Sequence, residues 1–350
     1  MGPYIILWIV PFILAFREVF YKEHSKNAYL WITLIFVVIV GGTNGNGPDW
    51  YAYENIQYTT FDFQELIQFE PLFILVYKIC GNFHVFLFCM ATICFAMVAR
   101  TLKKESPYPF FSILFFISTY TLFCYMGILR QAFALTLIIY SWNYRDNRKI
   151  EFLFLLLAIG FHYSSAIALF YLLIPRNKII GIKMALFGLV IGLAIRPILL
   201  SSLAYSMSVI SNVVAGKLLL YLDSDGLTTF SFSYFLSMVL ILLLMNVYMD
   251  KTERKDIFYY NAYIISIYVY LFLTFSPTFG RLVMYYGAVQ INLAAIILYN
   301  CGAKFRNGKC SQSTYILLFC VLVTLSSYIY FGGLVSNFEG VYVPYKSILY

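Results

Sequence analysis

Three arginines, one histidine and two carboxylates stand where their chemistry has to be explained. Arg130, in Met126-Gly127-Ile128-Leu129-Arg130-Gln131-Ala132, is the only charge between residues 109 and 142. Arg281 follows Ser276-Pro277-Thr278-Phe279-Gly280 in a tight turn that opens an apolar run, and Arg196 sits beside Pro197 in the middle of another. A guanidinium is permanently charged and planar, so it can grip a diphosphate through paired N–H donors. The plainer readings are a snorkelling helix end for Arg130 and an interfacial anchor for Arg281, while Arg196 is read as a cavity residue that could join them on a diphosphate. His162, in Gly160-Phe161-His162-Tyr163-Ser164-Ser165-Ala166, titrates near neutrality and can take a proton from a hydroxyl, against the plainer reading of a hydrogen-bonded core histidine.

The carboxylates open short helices. Gly45-Asn46-Gly47-Pro48-Asp49-Trp50-Tyr51-Ala52-Tyr53-Glu54 reads as a loop followed by a helix with proline in its first turn, placing Asp49 and Tyr53 on one face. Asp49 complements that helix N-terminus, or it stands beside aromatic rings as an acceptor for sugar hydroxyls. Glu70-Pro71 opens a second helix that breaks at Gly81-Asn82, too soon to cross a membrane; Glu70 is its cap or an acid of the site. Trp50, Tyr53 and Tyr285 supply the rings expected to pack against sugars, and the chain's 32 tyrosines give amphipathic rings for the interface.

The elements that position these residues follow from composition. Only 11% of the 350 residues are charged and 62% are hydrophobic, against roughly 25% charged in a soluble domain. The apolar runs are about as long as the roughly 20 residues that cross a bilayer core as helix, and they lack the period-2 alternation of a barrel strand. The fold class is an all-α integral membrane protein. About ten spans are predicted near 3–21, 28–43, 83–100, 109–125, 129–144, 184–204, 231–249, 257–275, 282–299 and 313–331. They form one polytopic domain over 1–350, and the first is expected to be retained because Met1 to Val10 lacks a basic leader.

Seventeen of the 24 basic residues fall in one set of linkers, including Lys103, Lys104, Arg145, Arg148, Arg176, Lys255 and Lys309. The positive-inside rule places those linkers in the cytoplasm. The acid-bearing segments, an outer loop over 44–70 with short interfacial helices and a second over 205–230, then face outward with both termini. Glu151 to Ile174 is flanked by basic clusters at both ends, so a re-entrant pair of half-helices turning near Gly160-Phe161-His162 is expected. The net charge of +8 is explained by orientation, with no nucleic-acid partner. Asp223-Ser224-Asp225 has the form of a metal-holding DxD but reads as a solvated turn. The seven cysteines form no CxxC pair, and there is no Walker A loop, dinucleotide-binding glycine motif or HExxH helix, so no metal and no cofactor are expected.

In order and spacing, Gly47-Pro48-Asp49-Trp50-Tyr51-Ala52-Tyr53, Glu70-Pro71-Leu72-Phe73, Arg130-Gln131-Ala132-Phe133-Ala134, His162-Tyr163-Ser164-Ser165-Ala166, Arg281-Leu282-Val283-Met284-Tyr285-Tyr286 and Val343-Pro344-Tyr345-Lys346 resemble the EpsG family of exopolysaccharide polymerases, related in role to the Wzy O-antigen polymerases. The loop departs from the family's common glycine-threonine-aspartate form, because Pro48 precedes Asp49 here. The resemblance implies a multi-pass glycosyltransferase of the bacterial inner membrane. It would join oligosaccharide repeat units carried on undecaprenyl diphosphate, as donor and acceptor, at the outer face. It further implies Arg130 and Arg281 on the diphosphate, His162, Glu70 or Asp49 as the proton acceptor, and a chain-length regulator and a flippase as partners in the bilayer. A membrane O-acyltransferase and a lipid-linked sugar flippase are the alternatives. The first would draw its donor from the cytoplasm, and the second predicts repeat symmetry that the sequence does not display.

Overall fold

A backbone surrounded by hydrocarbon must satisfy its own N–H and C=O groups, which is why these apolar runs become helices. The computed structural model describes residues 1–22, 26–56, 70–209, 230–249, 253–274, 280–335 and 341–348, with backbone alone for 26 and 199–209. Asp62, Glu65, Lys217, Asp223-Ser224-Asp225, Lys251, Ser276 to Phe279 and Glu339 lie outside the described residues. In chain order the helices are α1 Gly2–Tyr21, α2 Lys26–Phe36, α3 Trp50–Asn55, α4 Pro71–Cys80, α5 Phe83–Glu105, α6 Pro109–Tyr120, α7 Leu129–Ser141, α8 Arg148–Phe161, α9 Ile182–Val209, α10 Phe232–Tyr248, α11 Arg254–Leu273, α12 Val283–Gly287, α13 Gln290–Arg306 and α14 Gln312–Val335. An isolated antiparallel β-bridge joins Thr43 and Ser347.

Helices overlie each of the ten apolar ranges, but among the described residues five are long and apolar enough to cross a membrane: Gly2–Tyr21, Phe83–Glu105, Arg254–Leu273, Val283–Arg306 and Gln312–Val335. Several of the others, among them Pro71–Cys80 and Phe232–Tyr248, are only 10–17 residues long, short of the roughly 20 a straight crossing needs. Side chains such as Trp31, Leu173, Phe187, Leu317 and Tyr328 point outward, as expected of a surface that meets lipid rather than water.

The chain divides into two compact units, Met1–Leu172 with Ala294–Tyr350, and Leu173–Leu293. The first unit is built around α6, whose described side chains are buried along almost its whole length. Its N-terminus starts at Pro109 and is capped from another helix: the Glu18 carboxylate of α1 accepts from the Phe110 and Phe111 amides at 2.9 and 3.1 Å. Ser118 of α6 joins Trp8 of α1 at 3.2 Å and Ser326 of α14 at 2.7 Å. Helices that lack a hydrophobic drive between them are held by such interhelical hydrogen bonds and by close fit.

Two features of this unit set up the site. The π-helical segment Thr121–Tyr125 unwinds the end of α6, and Gly47 lies so close to it that a Cβ there would sit 1.8 Å from the Met126 carbonyl oxygen. Gly47 also has φ +119°, which an L side chain rarely adopts. This contact holds Pro48 and Asp49 in a turn, so α3 starts at Trp50, two residues later than proline in a first helical turn predicts. Residues 341–348 lie against the same loop. Asn46 donates to the Tyr342 and Pro344 carbonyls, both at 3.0 Å, and accepts from the Lys346 amide at 2.7 Å.

The second feature is a hairpin. α8 ends at Phe161, His162 adopts an extended conformation, and a 3-10 helix runs from Tyr163 to Leu173. The legs are nearly equal, about 21 Å for 14 α-helical residues and about 22 Å for 11 residues of 3-10 helix. The Arg148 guanidinium at the start of one leg donates to the Leu172 carbonyl at the end of the other. The chain therefore returns to where it began, with His162 at the bend.

In the second unit, Asn261 of α11 ties down the loop before α9, donating to the Pro175 and Lys178 carbonyls at 2.8 and 2.9 Å and accepting from the Ile180 amide at 2.9 Å. Tyr263 of the same helix donates to the Met238 carbonyl of α10 at 3.1 Å.

Candidate active site

The bend of the hairpin meets the start of α4. Gly160 makes the approach close, since a Cβ there would lie 2.4 Å from Leu72 Cδ1. Glu70 is the N-cap residue of α4, yet its side chain makes no capping bond. The carboxylate turns instead toward two residues far away in sequence. Oε2 accepts from Arg130 Nη1 at 2.6 Å, and Oε1 lies 2.7 Å from His162 Nδ1. Glu70 also holds φ 55° although it is not glycine and precedes a proline, a conformation costing about 1–3 kcal/mol that persists only where surroundings enforce it.

Glu70 is 4% exposed. Burial pushes its carboxyl up, but the His162 hydrogen bond and the Arg130 charge together outweigh it, holding the group below the usual carboxylate range. An ionised Glu70 can only accept hydrogen bonds, so His162 Nδ1 carries the proton between them. That leaves Nε2 as the ring nitrogen that exchanges a proton with anything else. Nε2 lies 3.0 Å from Gln131 Nε2, while Gln131 Oε1 is buried with no hydrogen-bond partner.

Arg130 and Gln131 are consecutive in the first turn of α7, and the Tyr53 side chain lies within the electrostatic reach of Arg130. Tyr53 in turn lies within the field of Asp49. Arg130, Glu70, His162 and Gln131 thus form one continuous polar chain inside the first unit, with Tyr53 beside the guanidinium. Gln131 escaped the sequence reading; it is the only carboxamide between residues 109 and 142, and that was the signal available.

The other residues singled out from sequence are placed differently. Asp49 is the half-buried N-cap of α3, again without a side-chain capping bond. Trp50 and Tyr53 are buried among rings, with Trp50 centred 5.2 Å from Phe83 and 5.9 Å from His84, and Tyr53 centred 5.7 Å from Phe73. Both are packed as walls rather than open platforms. In the second unit, Tyr285 is fully buried and Arg281 is exposed in the turn before α12. Arg196 donates to the Leu271 and Thr274 carbonyls, each at 2.9 Å, and its guanidinium stacks 4.3 Å from the Phe230 ring centre. It serves the C-terminal carbonyls of α11. Among the described residues no group of three or more His, Cys, Asp or Glu side chains could hold a metal ion.

Fold and cluster together define a class: a polytopic helical membrane protein with a carboxylate, an imidazole and a guanidinium joined in one buried chain. The sequence pattern of the EpsG family matches residues 26–347, nearly the whole length and all of the cluster, and the chain belongs to that family. Membership makes it an exopolysaccharide polymerase-type membrane protein, consistent with a glycosyltransferase-like reaction. Comparison with curated proteins gives no match, and comparison with solved structures gives none.

Proposed function

We propose that the protein polymerises oligosaccharide repeat units carried on undecaprenyl diphosphate, at the outer face of the bacterial cytoplasmic membrane. A hydroxyl of the incoming unit attacks the anomeric carbon of the growing chain's reducing-end sugar. The new C–O bond forms as the bond to the diphosphate breaks, and undecaprenyl diphosphate leaves with the electron pair. The observation that carries this reading is the Glu70 carboxylate shared between His162 and Arg130.

That arrangement divides the labour. Glu70, kept ionised, is a weak base, but it orients His162 so that Nε2 accepts the attacking hydroxyl's proton. Arg130 spends one N–H on Glu70 and keeps others for phosphoryl oxygens, where developing charge is stabilised without reorganisation. The family resemblance of the Arg281-Leu282-Val283 motif gives Arg281 a diphosphate role as well, which the Arg281→Ala variant tests by itself. Arg196 is withdrawn from that role, because its donors already serve α11. Asp49, half-buried at the start of α3, is the acceptor for sugar hydroxyls, and the buried Trp50 and Tyr53 rings form the wall behind it. The basic linkers orient the chain with both termini outside and about ten crossings. The hairpin from Arg148 to Leu173 then enters and leaves from the cytoplasmic side, a reading supported by the Arg148–Leu172 closure.

The test is reconstitution of the purified protein in vesicles with lipid-linked repeat units. A ladder of lengthening chains is expected from the wild type, with single units left unjoined by Arg130→Ala, Arg281→Ala and His162→Ala. An intact wild-type protein that yields no ladder, or full-length ladders from all three variants, overturns the proposal.

A further inference from the structure

Gln131 belongs to the cluster but has no role in the scheme above, and its two amide atoms are in opposite situations. Nε2 faces His162 Nε2 at 3.0 Å, and Oε1 is buried without a partner. With Nδ1–H fixed on Glu70, an unprotonated Nε2 accepts from the Gln131 N–H. A protonated Nε2 cannot keep that partner, since two donors would then face one another. Turning the amide by half a rotation brings Oε1, the buried acceptor with nothing to accept, against the new N–H.

We propose that Gln131 is a positioning residue that follows the protonation of His162: its N–H holds the place of the acceptor hydroxyl on Nε2 at rest, and its carbonyl receives the Nε2–H after proton transfer. This rests on the polymerase reading above. The step balances. The acceptor O–H bond breaks, its proton passes to Nε2, and its oxygen keeps the electron pair that forms the glycosidic bond. The diphosphate departs with the pair from the broken anomeric bond, and the proton later returns from Nε2 to solvent. The charged and titratable groups around the imidazole are Glu70 from the start of α4 and, through Glu70, Arg130 from α7, with Tyr53 and Asp49 beyond the guanidinium.

The experiment compares Gln131→Glu and Gln131→Met with wild type in reconstituted vesicles, reading elongation rate from pH 5.5 to 9. Glutamate places a second carboxylate on Nε2 and holds the ring protonated. Its rate at pH 6.5 is expected to fall at least tenfold, with recovery toward high pH and the acidic limb displaced upward by about one unit. Methionine, similar in shape but without the amide, is expected to lower the rate severalfold without displacing the limb. The same proteins are labelled with 15N-histidine, and the His162 signal is assigned by its loss in His162→Ala among the chain's three histidines. Gln131→Glu should displace the imidazolium signal to higher pH, and Gln131→Met should not. Wild-type rate and limb in both variants, or an unchanged His162 titration in Gln131→Glu, overturns the proposal. A wild-type protein that elongates nothing, while the His162 titration moves in Gln131→Glu as described, sinks the function and leaves the coupling standing.

Discussion

Two buried carboxylate–guanidinium pairs in the first unit invite comparison. Glu105 and Arg145 are sealed: their side chains are 1% and 10% exposed, and Arg145 spends a further bond on the Trp142 carbonyl. Glu70 and Arg130 are 5% and 32% exposed, and the carboxylate continues into an imidazole that continues into an amide. The first pair serves to join α5 to the segment after α7. The second has an open arginine, a titratable middle and a strained backbone at Glu70. Burial of charge alone does not mark a site; a pair with unspent donors and a proton-bearing neighbour does.

The largest expected effect breaks the comparison if it fails. Glu70→Gln should lower chain elongation on the order of 100-fold in protein that inserts normally, because His162 loses the acceptor that orients it. Glu105→Gln should leave the rate per folded molecule unchanged while destabilising the fold by about 3–5 kcal/mol, since Arg145 is left buried and unpaired. Thermal unfolding in detergent beside vesicle assays separates the two, and the reverse pattern would exchange their roles.

Acid sharpens the contrast. Glu70 is depressed in the folded protein, so its stabilising contribution is complete above about pH 4.3, the ordinary glutamate value, and is lost as pH falls through the lower folded value. Melting temperatures of wild type should therefore drop below that pH more steeply than those of Glu70→Gln. Parallel curves would mean that Glu70 is not held ionised.

Arg196 extends the comparison to the second unit. Arg196→Met should cost about 2 kcal/mol, the loss of charge-assisted bonds to two carbonyls, with elongation per folded molecule unchanged. A collapse in rate at full stability would return Arg196 to the substrate. The smallest expected effect is that of Gly160→Ala, under about 1.5 kcal/mol, because the obstructing atoms belong to the flexible Leu72 side chain. Its elongation rate should fall severalfold, as His162 shifts relative to Glu70.

Much of the architecture was legible because it is local. Glycine at 160 followed by a polar residue in an apolar run announced the break at His162, and Gly81-Asn82 announced the end of α4, where Gly81 has φ +67° and Asn82 caps the next helix at the His84 amide. The ten-crossing count read hydropathy without the shortness of helices such as Phe232–Tyr248. The direction of Glu70 was not legible either. Local rules favour a capping carboxylate at that position, but partners 60 and 92 residues downstream turn it away. Arg196 shows the same limit: beside Pro197 it looked available, and only the end of α11, 75 residues on, explains it. Sequence spacing located the charges, while their partners were set by contacts across the fold.

The clasp at Asn46 has a consequence for biogenesis. Its backbone partners lie 296 to 300 residues downstream, so during synthesis the early loop must wait, unlatched, until nearly every later helix has been made. Loop closure over such a span is slow relative to helix formation. Protease sensitivity around residue 46 would accordingly serve as a clock of completed insertion, vanishing only when Tyr342 has docked.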